Sequence, residues 1–314
     1  MDAQPYKNFF SRQIPSPPQL SPRELIRVRL EKLNSIPTVP AIIRPLIHYM
    51  DKPIEQVDVK RVVDMVSCDE AITAQCLRMA NSALYFRSQD VRTVHGAVII
   101  LGVQQVREIL MACSLLHLLP KGQWTINPSA LWKHSLGCAV VSRQFARRLR
   151  YPEPDKAYLA GLLHDLGQLV NFIALPSEYQ TVLEKAVKEK CALHVAESAV
   201  LGFNHCESGR IVAVHWKLNE ELVEVIQHHH DPQQARLQPG LAAIVSLSDQ
   251  FCRRVGLGLG YEETFGGDLL DDSAWEVLAL EFPRFGRAKL EEYSSEILEF
   301  ARNSIQLVDS LFPA

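Results

Sequence analysis

The chain has 314 residues, of which 47% are hydrophobic and 22% are charged, and its formal net charge at pH 7 is -3. This length and hydrophobic content can supply a large core and about two compact units. The charge gives no overall attraction to nucleic acid, and no apolar run is long enough to span a bilayer, so we expect neither nucleic acid nor a membrane as a partner.

The amino terminus and the cysteines indicate where the protein works. The polar start at residues 1–5 lacks the basic and apolar segments of a secretion signal. Seven cysteines without a closely spaced pair are typical of reduced thiols. We therefore expect a cytoplasmic protein.

The first part of the chain is predicted to be a helical bundle that follows a tail. Residues 1–21 are expected to form a tail and linker, because several prolines and serines lie between Gln13 and Pro22. Ser21-Pro22-Arg23-Glu24 has the form of a capping box with proline at the first helical position. Residues 22–122 are predicted to be an N-terminal helical subdomain. Apolar residues recur there at helical intervals of three and four in residues 42–47, 57–66, 71–79 and 103–118.

The second part is predicted to be a further helical subdomain with an extension. Pro120-Lys121-Gly122-Gln123 interrupts the pattern, so we place this subdomain at residues 123–255 and the extension at residues 256–314. The glycine-rich residues 256–260 resemble a nucleotide loop only superficially, since no strand precedes them, and we expect a flexible connector. Residues 273–280 and 287–311 are predicted helices, and the apolar face of the second either packs within the chain or forms a homodimer contact. The predicted fold class is all-α, a two-part helical bundle.

A histidine and an aspartate stand side by side in the second part. His164-Asp165 follows the apolar residues 160–163 in a predicted helix, about 100° apart around its axis, and two polar side chains in such a core must be hydrogen-bonded or coordinated. Imidazole nitrogens and carboxylate oxygens are ligands of divalent transition metals, and more of them occur on neighbouring predicted helices. The alternative is that these are hydrogen-bonded core residues. The further candidates are His134, His205, His228, His229, His230 and Asp249.

Some of these polar residues allow two interpretations. His228, His229 and His230 cannot all face one ion from a helix, because neighbours diverge by about 100°, so one or two of them are candidates and the run is otherwise a polar helix end before Pro232. Glu207 is either an acceptor for a ligand histidine or a solvated helix residue. Arg143 and Arg147 either complement a helix end or contact an anion.

Ordered motifs over about two-thirds of the chain resemble the HD-related output domain (HDOD) family, regulatory relatives of the metal-dependent HD phosphohydrolases and the HD-GYP cyclic dinucleotide phosphodiesterases. The motifs in the first part are Ile36-Pro37-Thr38-Val39-Pro40, Ser67-Cys68-Asp69-Glu70-Ala71, Cys76 to Ser82 and Ala97 to Gly102. Those in the second part are Leu131 to Ser135, Gly161 to Gly167, Gly202 to Gly209, Ile226 to Pro232 and Ser246 to Asp249.

The resemblance implies a metal centre and its ligands. His134, His164, Asp165 and Asp249 would bind one metal, and His205 and His229 would complete a two-metal site. One or two divalent ions of iron, manganese, nickel, zinc or magnesium are implied. Four further residues would either contact the ligand side chains or serve as alternative ligands: Gln168, Glu207, His228 and His230.

Two departures from the phosphodiesterases affect the expected function. Gln168 stands where they have a lysine, and Asp231-Pro232-Gln233-Gln234 stands where they have Gly-Tyr-Pro. The resemblance thus implies a bacterial-type signalling protein that responds to a protein partner or small ligand without turnover. The alternatives are a metal-dependent phosphohydrolase acting on a nucleotide or cyclic dinucleotide, and a structural relic whose polar core residues only hydrogen-bond.

Overall fold

A computed structural model describes most of the second part of the chain and portions of the first. Residues 128–259, 272–284 and 287–311 are described continuously. Before them, the described residues are 24, 56, 58–67, 73–74, 76–77, 80–81, 91–103 and 106. Most of the predicted N-terminal subdomain and the whole of the predicted tail therefore lie outside the described residues, as does most of the predicted capping box.

The described residues form helices and contain no strand, which confirms the predicted all-α class. Residues 94–103 are also helical. The α-helices in chain order are α1 (Val59–Ser67), α2 (Pro128–Arg148), α3 (Pro154–Leu163), α4 (Leu166–Ala174), α5 (Pro176–Glu189), α6 (Leu193–Leu201), α7 (His205–His215), α8 (Glu220–His228), α9 (Pro239–Arg254), α10 (Ser273–Glu281) and α11 (Arg287–Leu311). A short 3-10 helix at Pro232–Gln234 joins α8 to α9. None of the described helices combines the length and the hydropathy required to cross a bilayer.

Helices α2 to α9 enclose one hydrophobic core. Helix α2 packs on α3, α9 and α11, while α7 packs on α4 and α8. Large side chains such as Phe145, Tyr158, Tyr179, Phe203 and Phe251 are fully buried between them. Burial of this apolar area is the main stabilising contribution to the fold.

Two glycines permit close helix contacts in this core. A Cβ atom on Gly161 would lie 2.7 Å from the carbonyl oxygen of Cys138, so only glycine lets α3 approach α2 this closely. A Cβ atom on Gly167 would lie 1.8 Å from the carbonyl oxygen of His205, where α4 meets α7. These contacts bring the helices that carry the candidate ligands together.

Helix α11 runs antiparallel to α2 along its length. Lys133 pairs with Asp309 at 2.6 Å, and Arg148 pairs with Glu296 at 2.6 Å. Residues of the predicted apolar face of α11 are buried in this contact, among them Tyr293, Ile297 and Val308, although Phe300 and Ile305 are only half-buried. Within the chain, this face is therefore covered by α2 and α9.

Two local expectations differ from the structure. His164 and Asp165 do not lie inside one helix, because α3 ends at Leu163 and α4 begins at Leu166. The expected flexible connector begins as an ordered turn in which Leu257 and Leu259 are buried and Gly256 has φ +86°. Residues 260–271 lie outside the described part of the chain.

Candidate metal centre

Asp165 lies at the centre of a buried polar cluster. Its backbone (φ -95°, ψ 17°) lies at the corner between α3 and α4, outside both helices. The residue is 2% exposed, and neither carboxylate oxygen has a hydrogen-bond partner of good geometry within the described residues. An unpartnered buried carboxylate is energetically costly, so a compensating charge is expected beside it.

Imidazoles from four different segments surround the Asp165 carboxylate. The Oδ1 atom lies 3.2 Å from Nε2 of His205 and 3.6 Å from Nε2 of His229. The Oδ2 atom lies 3.3 Å from Nε2 of His164 and 3.6 Å from Nε2 of His134. Each carboxylate oxygen therefore faces a separate pair of imidazoles.

Asp249 of α9 adds a second carboxylate on the Oδ2 side of the cluster. Its Oδ1 atom lies 2.9 Å from Nε2 of His134 and accepts a 2.6 Å hydrogen bond from Nε of Arg253. The structure thus brings together all six residues that the family resemblance implies as ligands, from α2, the α3–α4 corner, α7, the end of α8 and α9.

The opposite nitrogen of each ring is held by an oxygen acceptor. The Nδ1 atoms of His134, His164 and His229 lie 2.6, 2.7 and 3.1 Å from the carbonyl oxygens of Leu257, Gly161 and Ile226. A carbonyl oxygen can only accept, so each Nδ1 donates its proton. In the neutral ring, Nε2 then carries the lone pair and faces the cluster, which is the orientation of metal-ligating histidines.

The acceptor behind His205 is Glu197 of α6, a residue that the sequence interpretation missed. Its fully buried Oε2 atom accepts from Nδ1 of His205 at 2.6 Å and from the His205 backbone N–H at 2.7 Å. The available signal was its position, because Glu197 follows Ala196 on the buried face of α6. The other carboxylate considered for this role, Glu207, forms the capping box of α7 with Asn204.

The three consecutive histidines lie in different positions, because α8 ends at the first of them. His228 is the last helical residue and is half-buried, whereas His229 caps the helix and His230 lies in the following turn. Nε2 of His230 lies 3.1 Å from Nε2 of His205, and its ring packs on that of His194 at a centroid distance of 4.2 Å. The structure therefore places both His229 and His230 at the cluster.

Three other candidates lie around or away from the cluster. Gln168 is fully buried one helical turn after Asp165, and neither atom of its amide has a hydrogen-bond partner among the described residues. The guanidinium of Arg143 lies 4.9 Å from the ring centre of Tyr158, and Arg147 is exposed. Both arginines lie at least about 13 Å along α2 from His134, given the helical rise per residue.

Burial and neighbouring charges shift the pKa values of residues within the cluster. Although burial opposes its ionisation, His164 and His205 hold the pKa of Asp165 well below its usual value. Burial also opposes a charge on His229, but Cys206 and Asp165 outweigh it and raise the pKa of His229 to about 10. Burial, reinforced by His229 and His194, lowers the pKa of His230 far below its usual value. The raised pKa of His229 thus favours a positive charge beside Asp165.

A divalent cation fits this arrangement. Imidazole nitrogens and carboxylate oxygens converge there, and within each of three groups of candidate ligands the ligand atoms lie within 4.8 Å of one another. These groups are His134, Cys138, His164 and Asp249; His164, Asp165 and His229; and His205, Cys206, His229 and His230.

The described part of the chain is thus an all-helical fold that holds a buried cluster of histidines and aspartates. The family profile of the HDOD domain matches residues 36–232. The chain belongs to the HDOD domain family.

Solved structures share the fold of this chain. The chain is 30% identical to an HDOD domain protein of unknown function from Geobacter sulfurreducens, with a TM-score of 0.77, over 93% of this chain and 98% of that one. A protein of Shewanella amazonensis SB2B with a proposed phosphohydrolase assignment shares the fold at 23% identity and a TM-score of 0.66, over 90% and 97% of the two chains. A proposed signal transduction protein of Marinobacter aquaeolei VT8 shares it at 22% identity and a TM-score of 0.73, over 92% and 65%.

A curated relative is an uncharacterized protein of Treponema pallidum (strain Nichols). It is 24% identical to the chain over 206 residues. The aligned region is 64% of this chain but only 39% of the relative's length.

Proposed function

We propose that the chain is a regulatory signalling protein that retains a two-ion metal centre and acts by binding a protein partner or a small ligand, without turnover of its own. The burial of the ligand set carries this proposal. The four imidazoles around Asp165 are fully buried, and Asp165 and Asp249 are 2% and 3% exposed. A catalytic metal site keeps a coordination position open to water or substrate, whereas a structural site is closed by protein ligands.

The approach to the centre supports the same proposal. A recess that reaches Asp165 is walled mainly by apolar side chains and has room for about one water-sized molecule. A phosphate ester would have to displace these side chains and leave water for an apolar surface, which is unfavourable. The lining residues are Leu131, Trp132, Ser135, Leu162, Leu163, Asp165, Leu166 and Leu169.

The proposed ligands fall into two sets that share Asp165. One ion would be held by His134, His164, Asp249 and Oδ2 of Asp165. The other would be held by His205, His229, His230 and Oδ1 of Asp165. Bound ions would supply the positive charge that balances both carboxylates and would tie together segments that are distant in sequence, so binding would stabilise the folded chain.

The absence of turnover is supported by the residues beside the centre. Gln168, which is uncharged, stands at the position of the phosphodiesterase lysine, and Asp231-Pro232 follows the histidine run in place of Gly-Tyr-Pro. Phosphoryl transfer depends on positive charge placed around the phosphoryl oxygens. A protein partner, a nucleotide or cyclic dinucleotide ligand, homodimer formation and a cytoplasmic location remain part of this proposal.

A metal-dependent phosphohydrolase is the second candidate. It is favoured by Asp165, whose two oxygens face separate sets of imidazoles at 3.2–3.6 Å. A carboxylate in this position can bridge two ions, and paired ions would activate water and stabilise charge on phosphoryl oxygens.

The two candidates are separated by elemental analysis and an activity screen. Protein purified without chelator and without a metal affinity column is analysed for bound metal, then incubated with nucleotides and cyclic dinucleotides while phosphate and nucleotide products are measured. We expect bound metal and no hydrolysis. Metal-dependent hydrolysis that is lost in Asp165→Ala would instead establish the phosphohydrolase, and metal-free protein with an unchanged melting temperature in chelator would contradict the metal centre.

A further inference from the structure

The side of the cluster that contains His205, His229 and His230 also contains a thiol. Cys206 follows His205 in the first turn of α7 and is 5% exposed. One ligand atom from each of these four residues lies within 4.8 Å of all the others. Thiolate combined with imidazole is a ligand set that suits zinc and similar ions.

The separations within this set are close to those of a tetrahedral site. Nε2 of His205 lies 3.1 Å from Nε2 of His230 and 3.4 Å from Nε2 of His229. Zinc–nitrogen bonds of ordinary length at tetrahedral angles place two nitrogens about 3.3 Å apart. Sγ of Cys206 lies 4.0 Å from Nε2 of His229, against about 3.6 Å for such a sulfur–nitrogen pair.

The sulfur of Cys206 can change position independently of α7. Sγ of Cys206 lies 3.9 Å from Nδ1 and 4.0 Å from Nε2 of His229, so it is nearly equidistant from the two ring nitrogens. Rotation about the Cα–Cβ bond of Cys206 moves the sulfur without moving α7. The backbone of His205, which precedes it, stays fixed by its hydrogen bond to Glu197.

The opposite side of the cluster differs in its ligand chemistry. There, His134 and His164 already have two carboxylates beside them, Asp165 and Asp249. Cys138 also lies on that side, with Sγ 3.5 Å from Nε2 of His134. That side therefore offers two imidazoles and two carboxylates, whereas the Cys206 side offers three imidazoles and a single carboxylate oxygen, from Asp165, and oxygen ligands favour harder ions.

We propose that Cys206 is a metal ligand and that it makes the side formed by His205, His229 and His230 selective for a thiophilic ion of the zinc class. This proposal rests on the metal centre of the proposed function. On binding, the Cys206 thiol releases its proton to solvent and the sulfur donates an electron pair to the ion. The two positions of the centre then bind different ions preferentially.

Cobalt(II) tests the proposal, because a thiolate on cobalt gives an intense near-ultraviolet charge-transfer absorption that nitrogen and oxygen ligands do not give. The metal-free protein and its Cys206→Ser, Cys138→Ser and Cys191→Ser variants are titrated with cobalt(II). We expect the absorption in the wild type and in the Cys138 and Cys191 variants. In Cys206→Ser we expect bound cobalt without this absorption, and an affinity for zinc lowered at least about tenfold.

A second measurement requires no variant. X-ray absorption at the zinc edge of the zinc-loaded wild type should show one sulfur among the nearest neighbours, at about 2.3 Å. This keeps the proposal testable if Cys206→Ser fails to fold, as judged by its circular dichroism.

The results that would contradict the role of Cys206 can be told apart from those that would contradict the metal centre. If cobalt binds to the wild type without the charge-transfer absorption, or if only Cys138→Ser loses it, Cys206 is not the ligand and the metal centre still stands. If the wild type binds neither cobalt nor zinc, the metal centre itself is wrong and the role of Cys206 is wrong with it.

Discussion

Glu197 accepts two hydrogen bonds from His205, one from the backbone N–H at 2.7 Å and one from Nδ1 at 2.6 Å. Its other oxygen accepts from the hydroxyl of Tyr179 at 2.8 Å and from the amide of Asn171 at 3.2 Å. One buried carboxylate therefore fixes both the start of α7 and the orientation of a candidate ligand ring.

We predict that Glu197→Gln weakens metal binding by about 10- to 100-fold, because a neutral amide lowers the basicity of the His205 ring and holds it less strongly. The affinity for zinc is measured by competition with a chromophoric chelator. Glu207→Gln is the matched control, since that side chain forms the capping box of α7 with Asn204, whereas Nδ1 of the His205 ring pairs with Glu197. Equal zinc affinities of the two variants would contradict this role of Glu197.

Replacement of Gly167 should separate α4 from α7. The added Cβ atom of Gly167→Ala would lie 1.8 Å from the carbonyl oxygen of His205, so the helices must move apart. We expect a loss of roughly 2–3 kcal/mol in the free energy of unfolding and weaker metal binding, measured by denaturant unfolding and by zinc titration. Gly258→Ala is the control, because its Cβ atom would meet only Arg253 at 3.8 Å. Equal stability of both variants would show that this contact is not tight.

Metal binding should release protons from the cluster. The pKa of His229 is raised to about 10 because Cys206 and Asp165 outweigh the effect of burial, so the ion-free ring holds a proton at neutral pH that an ion at Nε2 must displace. A raised pKa makes the apparent metal affinity increase with pH until the ring of the ion-free protein deprotonates. Calorimetric titrations in buffers of different ionisation enthalpy measure the released protons. A binding enthalpy that does not depend on the buffer would contradict this prediction.

The contact between α11 and α2 should contribute substantially to stability. Ile297 is 2% exposed, and truncation of a buried isoleucine leaves a cavity, so we expect Ile297→Ala to cost about 2–4 kcal/mol in the free energy of unfolding. Glu299→Ala, at an exposed position of the same helix, should change it by less than about 0.5 kcal/mol. Comparable denaturation midpoints for the two variants would indicate that α11 leaves α2 in solution.

The sequence could predict the helical class because apolar residues recur at helical spacing in long segments such as residues 287–311. It could not locate the corner at His164 and Asp165, because the apolar pattern continues through it from Leu163 to Leu166. Glu197 was missed for a related reason, since one acidic residue in a short helix is ordinarily solvated and only tertiary packing buries it against His205.

The run of three histidines shows that the sequence also could not predict where α8 ends. Helical geometry correctly makes neighbouring side chains diverge, but it applies only while the helix continues. Helix α8 ends at His228, so the turn can direct both His229 and His230 towards His205. The exact helix end decided the arrangement, and helix ends are the part of a fold that local sequence patterns locate least well.

The antiparallel contact of α11 with α2 gives the two helices a common register. Asp309 and Glu296, which pair with Lys133 and Arg148, are separated by about 20 Å along α11 at the helical rise per residue. Lys133 precedes His134, so one of these pairs is adjacent in sequence to the cluster and the other lies at the far end of the helix. A sliding of α2 along α11 would thus have to break both ion pairs together, the one beside the cluster and the one at the surface about 20 Å away.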